Sequence, residues 1–228
     1  MDFETNIKFF DLKHRKKVRI MKRIGMPITV VGALMVVLGS FGMWAMMMAG
    51  WPLLIVSVPI VAIASSWNVK ENDILDLVEE QKKEFKQYCE EKLDYPGDLA
   101  ANAILLTGCD AACQKDNGLP TKKLKSGAML APVVTFTYLY IKRDRLVIFT
   151  RYFAITEDYV EDKKQEVFFS EFDKVAVVAA DNGDCKGFAF RISAKDEVVF
   201  SAPVLLEDYT IDSYAQNILH TKDRAGRR

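Results

Sequence analysis

No charge of either sign falls between Ile24 and Val69, although the 228-residue chain carries 31 Lys+Arg and 31 Asp+Glu. That gap, 46 residues long and about 70% apolar, excludes a simple soluble enzyme. Histidine is nearly missing as well, and cysteine is sparse, with two and four copies. Four cysteines in a chain of this size exclude a disulfide-stapled secreted module. The zero net charge excludes a nucleic-acid binder driven by overall basicity. What remains is an integral membrane protein carrying a modest water-facing part.

A helix needs about 20 apolar residues to cross a hydrocarbon core of ~30 Å. The window is too long for one crossing and suits two. Proline is tolerated in the first turn of a helix and costs about 3 kcal/mol inside one, so the break is expected near Ala49-Gly50-Trp51-Pro52. The spans are then about 26–48 and 52–67, with Trp51 and Trp67 at headgroup level. Gly25, Gly32 and Gly39 recur every seven residues on one face of the first span, with Gly42 nearby. Small residues let helix backbones approach closely in lipid, so this face packs either the hairpin itself or a second protein. The window holds no ionisable side chain, which argues against a transporter, channel or proton relay built from this hairpin alone.

Residues 1–23 carry a charge of +5, from Lys8, Lys13, Arg15, Lys16, Lys17, Arg19, Lys22 and Arg23 against three acids. Positive flanks stay cytoplasmic, so both termini are expected in the cytoplasm of what reads as a bacterial cell membrane protein. A signal peptide fits poorly, because the apolar region is too long and lacks a small-x-small cleavage site. The basic stretch serves first as a topology signal, with anionic lipid as a second possible role.

From Asn72 to Leu93 the chain reads as a helix with an incomplete apolar stripe, Ile74, Val78, Phe85 and Tyr88. Continued from the second span, it predicts one helix of about 40 residues projecting some 35 Å from the membrane. The stripe fits either a partner helix or this chain's own C-terminal part. Asp94-Tyr95-Pro96-Gly97-Asp98 stops the helix, an alanine-rich helix is expected from Leu99 to about Lys115, and 118–127 reads as a linker bearing Lys122, Lys123 and Lys125. These lysines are either solvated or contacts for phosphate headgroups. Cys109 and Cys113 would share a helix face. No second Cys pair exists and His14 and His220 lie at opposite ends, so no metal site or cofactor is expected.

Beyond Pro132 the pattern turns strand-like. Val134 to Ile141, a turn at Lys142-Arg143-Asp144 and Arg145 to Thr150 make a hairpin signal. Further strands are expected at 166–170, 174–180, 187–192 and 197–202, with turns at Asp181-Asn182-Gly183 and Ala194-Lys195-Asp196. Glu157, Asp158, Glu161 and Asp162, beside Lys163 and Lys164, read as a solvated loop. A helix from Ile211 to His220 closes the domain. The domain plan is thus 1–23 basic flank, 24–69 transmembrane hairpin, 70–131 helical stalk and connector, 132–221 β-domain and 222–228 basic tail.

The aromatic hairpin Phe136 to Phe149, the run Phe168 to Val175 and the closing helix resemble the pleckstrin-homology-like or GRAM-like domains of bacterial membrane proteins. The resemblance implies an α+β membrane protein whose C-terminal antiparallel β-barrel is capped by a helix. It also implies Lys142, Arg143 and Arg145 in a turn that binds lipid phosphates in eukaryotic relatives, although Asp144 interrupts them here and the domain is acidic.

No phosphate loop, zinc-protease motif or nucleophile elbow is present. Asp181 to Asp184 lack the ligand spacing of a calcium loop. The leading expectation is therefore a non-enzymatic, membrane-anchored module that binds a protein partner or a second copy. Two alternatives stand beside it. One is an accessory subunit packing through Gly25, Gly32 and Gly39 on a larger transport, secretion or envelope complex. The other is an enzyme acting on lipid or envelope precursors.

Overall fold

A computed structural model describes residues 3–41, 43–93, 103–109, 119–127, 129–181, 186–204 and 209–226. The chain is α+β and folds as two compact units, residues 2–71 and 72–228.

The first unit is helical. α1 (Phe3–Phe10) is followed by Asp11, whose carboxylate accepts the Lys13 N–H at 2.8 Å and so caps α2 (Leu12–Ser40). α2 runs unbroken from the basic flank into the apolar window. α3 (Trp44–Ser66) returns beside it. Both helices are long and apolar enough to cross a membrane. Their large side chains point outward: only 17% of the most apolar stretch of α2 is buried, and 11% of that in the helix beginning at Trp44. A core helix of a soluble protein would be mostly covered.

α2 ends at Ser40 and α3 begins at Trp44, eight residues before Pro52 of the expected break, and Pro52 and Pro59 both sit inside α3. Pairing of the two helices accounts for the shift. Gly39 lies against Met47, Gly32 against Leu53, Leu54 and the Gly50 carbonyl, and Gly25 against Ile60 and Val61. These facing positions mirror about Met43, so a turn near Gly50 would destroy the register. The loss of one amide at Pro52 is the smaller cost. Trp51 consequently lies within α3, and Trp44 stands beside the turn.

The expected 40-residue helix is interrupted. α3 ends at Ser66, and α4 (Glu71–Glu91) begins after four non-helical residues. His14 Nε2 donates to the Trp67 carbonyl at 3.1 Å, supplying the partner that a further helical turn would have given.

The second unit holds two main antiparallel sheets. β1 (Ala103–Gly108), β4 (Val133–Ile141), β5 (Arg145–Ala154) and β6 (Val160–Phe168) form the larger, in the order β1-β4-β5-β6. β2 (Lys122–Lys123) and β3 (Met129–Leu130) make a small ribbon. β7 (Lys174–Asp181), β8 (Lys186–Ala194) and β9 (Glu197–Val204) form the third sheet, and α5 (Tyr209–Gly226) follows.

Several expectations are corrected here. Residues 103–108, expected in an alanine-rich helix, are strand β1: Leu106 enters the core, and each residue pairs with β4. The β-unit therefore begins near 103 rather than 132; the rest of that expected helix lies outside the described residues. The linker at 118–127 contains β2, and its turn closes at Gly127, where φ is +91° and a side chain would be strained. Glu161 to Lys164 belong to β6, and residues 222–226 belong to α5. Phe169–Glu171 form a 3-10 turn, closed by the Glu171 carboxylate accepting the Phe168 N–H at 2.8 Å, where a continuous strand was expected.

Among the described residues, no sheet is closed into a barrel. β6 is a charged outer edge, which resists further pairing. β1 lies against β9 at Gly108, where an added Cβ would strike the Pro203 carbonyl. Pro203 has no amide hydrogen to donate, so β9 cannot extend the larger sheet there.

The core lies between the sheets and under α5, with Leu139, Ile148, Phe172, Phe190, Ile192 and Ile218 buried. Tyr214 donates its hydroxyl to the Leu139 carbonyl at 2.9 Å, tying α5 to β4. Both faces of β4 are covered, and it is buried from end to end.

Candidate functional site

On the larger sheet, the face away from that core carries Phe136, Tyr138 and Tyr140 from β4 and Phe149, Arg151 and Phe153 from β5. The apolar stripe of α4 docks here. Ile74, Val78, Phe85 and Cys89 are buried, and the Phe85 ring lies 6.2 Å from that of Phe136. Docking within the chain thus answers which of two partners the stripe takes.

Arg151 latches the last turns of α4. Its guanidinium makes two 2.7 Å hydrogen bonds to the Asp162 carboxylate across the β5–β6 ladder. It also lies 5.1 Å from the Phe85 ring centre and 5.5 Å from that of Tyr88. A cation held by both an anion and aromatic faces is strongly kept in its charged form, and the Asp162 hydrogen bonds are the largest cause of that rise. Beneath the latch, burial pushes the Cys89 thiol up to about 12, against a weaker pull from Arg151. Such a thiol is inert near neutral pH. Burial raises Tyr138 too, with Glu90 and Cys89 adding to it.

Between α4, β1 and the start of α5 runs a groove of about 500 Å³. Leu75, Val78, Ile104, Leu106, Val204 and Ile211 give it an apolar lining, and Asp76, Glu79, Lys82 and Thr107 add polar groups. β1 borders it as an edge strand of the larger sheet.

The basic residues singled out as headgroup contacts fall into different surroundings. Arg145 is committed to ion pairs with Asp144 and Glu166, both at 2.9 Å, and stacks 4.4 Å over Phe168. Those bonds raise its pKa and hold the Asp144 carboxyl below the usual carboxylate range, while Lys164 first and Arg145 second do the same for Glu166. Arg143 is exposed at the turn, where it lines a second open cavity with Thr221 and Arg224 of α5. Lys142 donates its backbone N–H to the Arg145 carbonyl. Lys122 and Lys123 form β2, and Lys125 lies in the turn after it.

Cys109 follows strand β1, which removes the helical reason for pairing it with Cys113. Its sulfur accepts the Ala131 N–H at 3.2 Å. Cys113, Cys185 and Gly42 lie outside the described residues, as do residues 182–184 of the expected turn. Among the described residues, no cluster of three His, Cys, Asp or Glu side chains is placed to hold a metal.

In the helical unit, Gly25, Gly32 and Gly39 are buried against α3. That seam has a second half which sequence reasoning missed: Gly50, Ser57 and Ala64, also seven apart, are the buried residues of α3. Both stripes are plain in the sequence, and only their matching period identifies them as partners. The arginine latch was missed because Arg151 sits alone in an apolar strand, with its partners 11 and 66 residues away. The seam is filled by this chain's own α3.

Comparison with protein-family models, with curated proteins and with solved structures gives no match for this chain.

Proposed function

We propose that this protein is a membrane-anchored interaction module. α2 and α3 cross the bilayer as a hairpin, and the β-unit lies on the side of the basic flank, where it binds a segment of a partner protein. The observation that carries the anchor is the division of surface on the hairpin. Small residues face inward, while Val30, Leu34, Ile55 and Val56 stand at least half exposed with no protein cover. Lipid is the solvent that suits such a surface. Seven basic residues from Lys13 to Arg23, four of them from Lys17 onward, support the cytoplasmic side for that end of both helices.

The binding surface proposed is the groove between α4 and β1. An apolar channel beside an edge strand accepts an extended segment through main-chain hydrogen bonds and alternate side-chain pockets. The order of strands followed by a closing helix supports reading the β-unit as pleckstrin-homology-like, although its described sheets are not closed into a barrel.

A photocrosslinking residue at Lys82 tests this in native membranes. Adducts of one discrete mass from Lys82, absent when the probe replaces Glu157 on the far β5–β6 loop, are expected. Equal adducts at both sites, or none at Lys82, would refute the binding surface.

A further inference from the structure

The outward face of α2 carries two chemistries in succession. Lys13, Lys16, Lys17, Arg19 and Arg23 are exposed along its first three turns. Directly below them Ile24, Val30, Val31, Leu34, Val37 and Leu38 are about half exposed. The opposite face, Val18, Gly25, Gly32 and Gly39, is buried. Lys17 lies 5.2 Å from the ring centre of Trp67, which ends α3 at the same level. None of the five bases forms an ion pair among the described residues. The other end of the hairpin, Ser40 to Trp44, carries no charge.

Given the membrane anchor proposed above, we infer that this face is a binding site for anionic phospholipid in one leaflet. The acyl chains lie along the apolar residues, and the headgroup phosphates meet the bases. Lengths support the fit. From Lys17 to Arg23 a helix rises about 9 Å, which matches the ~6–8 Å headgroup layer on one side of a bilayer. Lys13 and Lys16 stand only about 2–6 Å beyond Lys17, within the ~8 Å over which charges act at physiological salt. Fixing five cations on one rigid helix costs little further ordering when lipid binds. A topology signal needs only the charges, whereas a lipid site needs them on the outward face above an apolar stripe.

The test uses the full chain with Trp44→Phe and Trp51→Phe, so that Trp67 is the remaining tryptophan. It is reconstituted in equimolar phosphatidylglycerol and phosphatidylcholine, with one lipid brominated in its acyl chains at a time. Brominated phosphatidylglycerol is expected to quench Trp67 with a relative affinity roughly fivefold that of the zwitterionic lipid. The preference should fall to near unity at ~1 M salt, where screening acts within ~3 Å. Lys16→Gln, Lys17→Gln, Arg19→Gln and Arg23→Gln together should abolish it, while Lys16→Arg with Lys17→Arg should keep it. Equal quenching by the two lipids in the unsubstituted chain would overturn the lipid site and leave the anchor standing. Absence of quenching by either would overturn the membrane reading beneath it.

Discussion

Arg151 links α4 to the sheet through Phe85 and Tyr88 while it is held by Asp162. Its two bonds to Asp162 lie in partly screened surroundings, and its contacts with Phe85 and Tyr88 add about 0.5–1 kcal/mol each. Arg151→Ala should cost about 2 kcal/mol and speed hydrogen exchange in α4 while leaving β7–β9 unchanged. Unchanged protection of α4 would remove the latch from this account. Cys89, one turn further along the helix, offers a chemical readout. A pKa near 12 in place of the ordinary 9.0 lowers its thiolate population at pH 8 by about a thousandfold. With the other three cysteines changed to serine, iodoacetamide should modify Cys89 at least that much more slowly in the folded chain than in denaturant. The sign of the accompanying pH dependence follows from a folded pKa above the unfolded one. The full contribution of the group is present below pH 9, and is lost as pH climbs toward 12 and the unfolded thiol ionises first.

Among the elements, the α2–α3 hairpin depends on close approach and the β-unit on cover. An added methyl at Gly32 meets Leu53 Cβ and Leu54 Cγ, both at 3.2 Å, which a shift of a few tenths of an ångström relieves. At Gly39 the methyl meets the backbone of Met47, which no rotamer can move. Gly39→Ala should therefore destabilise the hairpin by about 2–3 kcal/mol and Gly32→Ala by less than about 1 kcal/mol, in denaturant titrations of detergent-solubilised protein. The reverse order would show that the helices are not packed along this seam. Repeats of seven in both helices correspond to 3.5 residues per turn and hence a left-handed crossing. In the β-unit, α4 is what allows the aromatic strands to be apolar on both faces. The larger sheet would otherwise present Phe136, Tyr138 and Phe149 to water.

The whole molecule divides into an apolar hairpin with one basic end and a polar α+β unit. On the proposed topology, a cysteine placed at Phe41 should react with a membrane-impermeant maleimide added outside intact cells, and cysteines at Lys8 or Lys70 should not. Labelling in the opposite sense would invert the orientation. The two long apolar helices were readable from the order of residues alone, because length and lack of charge are properties of one continuous stretch. The Phe136–Phe149 hairpin was readable for a similar reason, since its alternation and turn chemistry act over neighbouring residues. The change from α2 to α3 between Ser40 and Trp44, by contrast, depends on glycines in one helix matching small residues in another. Strand β1 looks helical by composition and becomes a strand only because β4 pairs with it. The groove, the latch at Arg151 and the unclosed sheets likewise arise from residues far apart in the chain. Local pattern marked where the apolar stretches of the chain begin and end. Which faces meet was decided by long-range contacts, whose energies depend on shape and register that no short stretch of sequence contains.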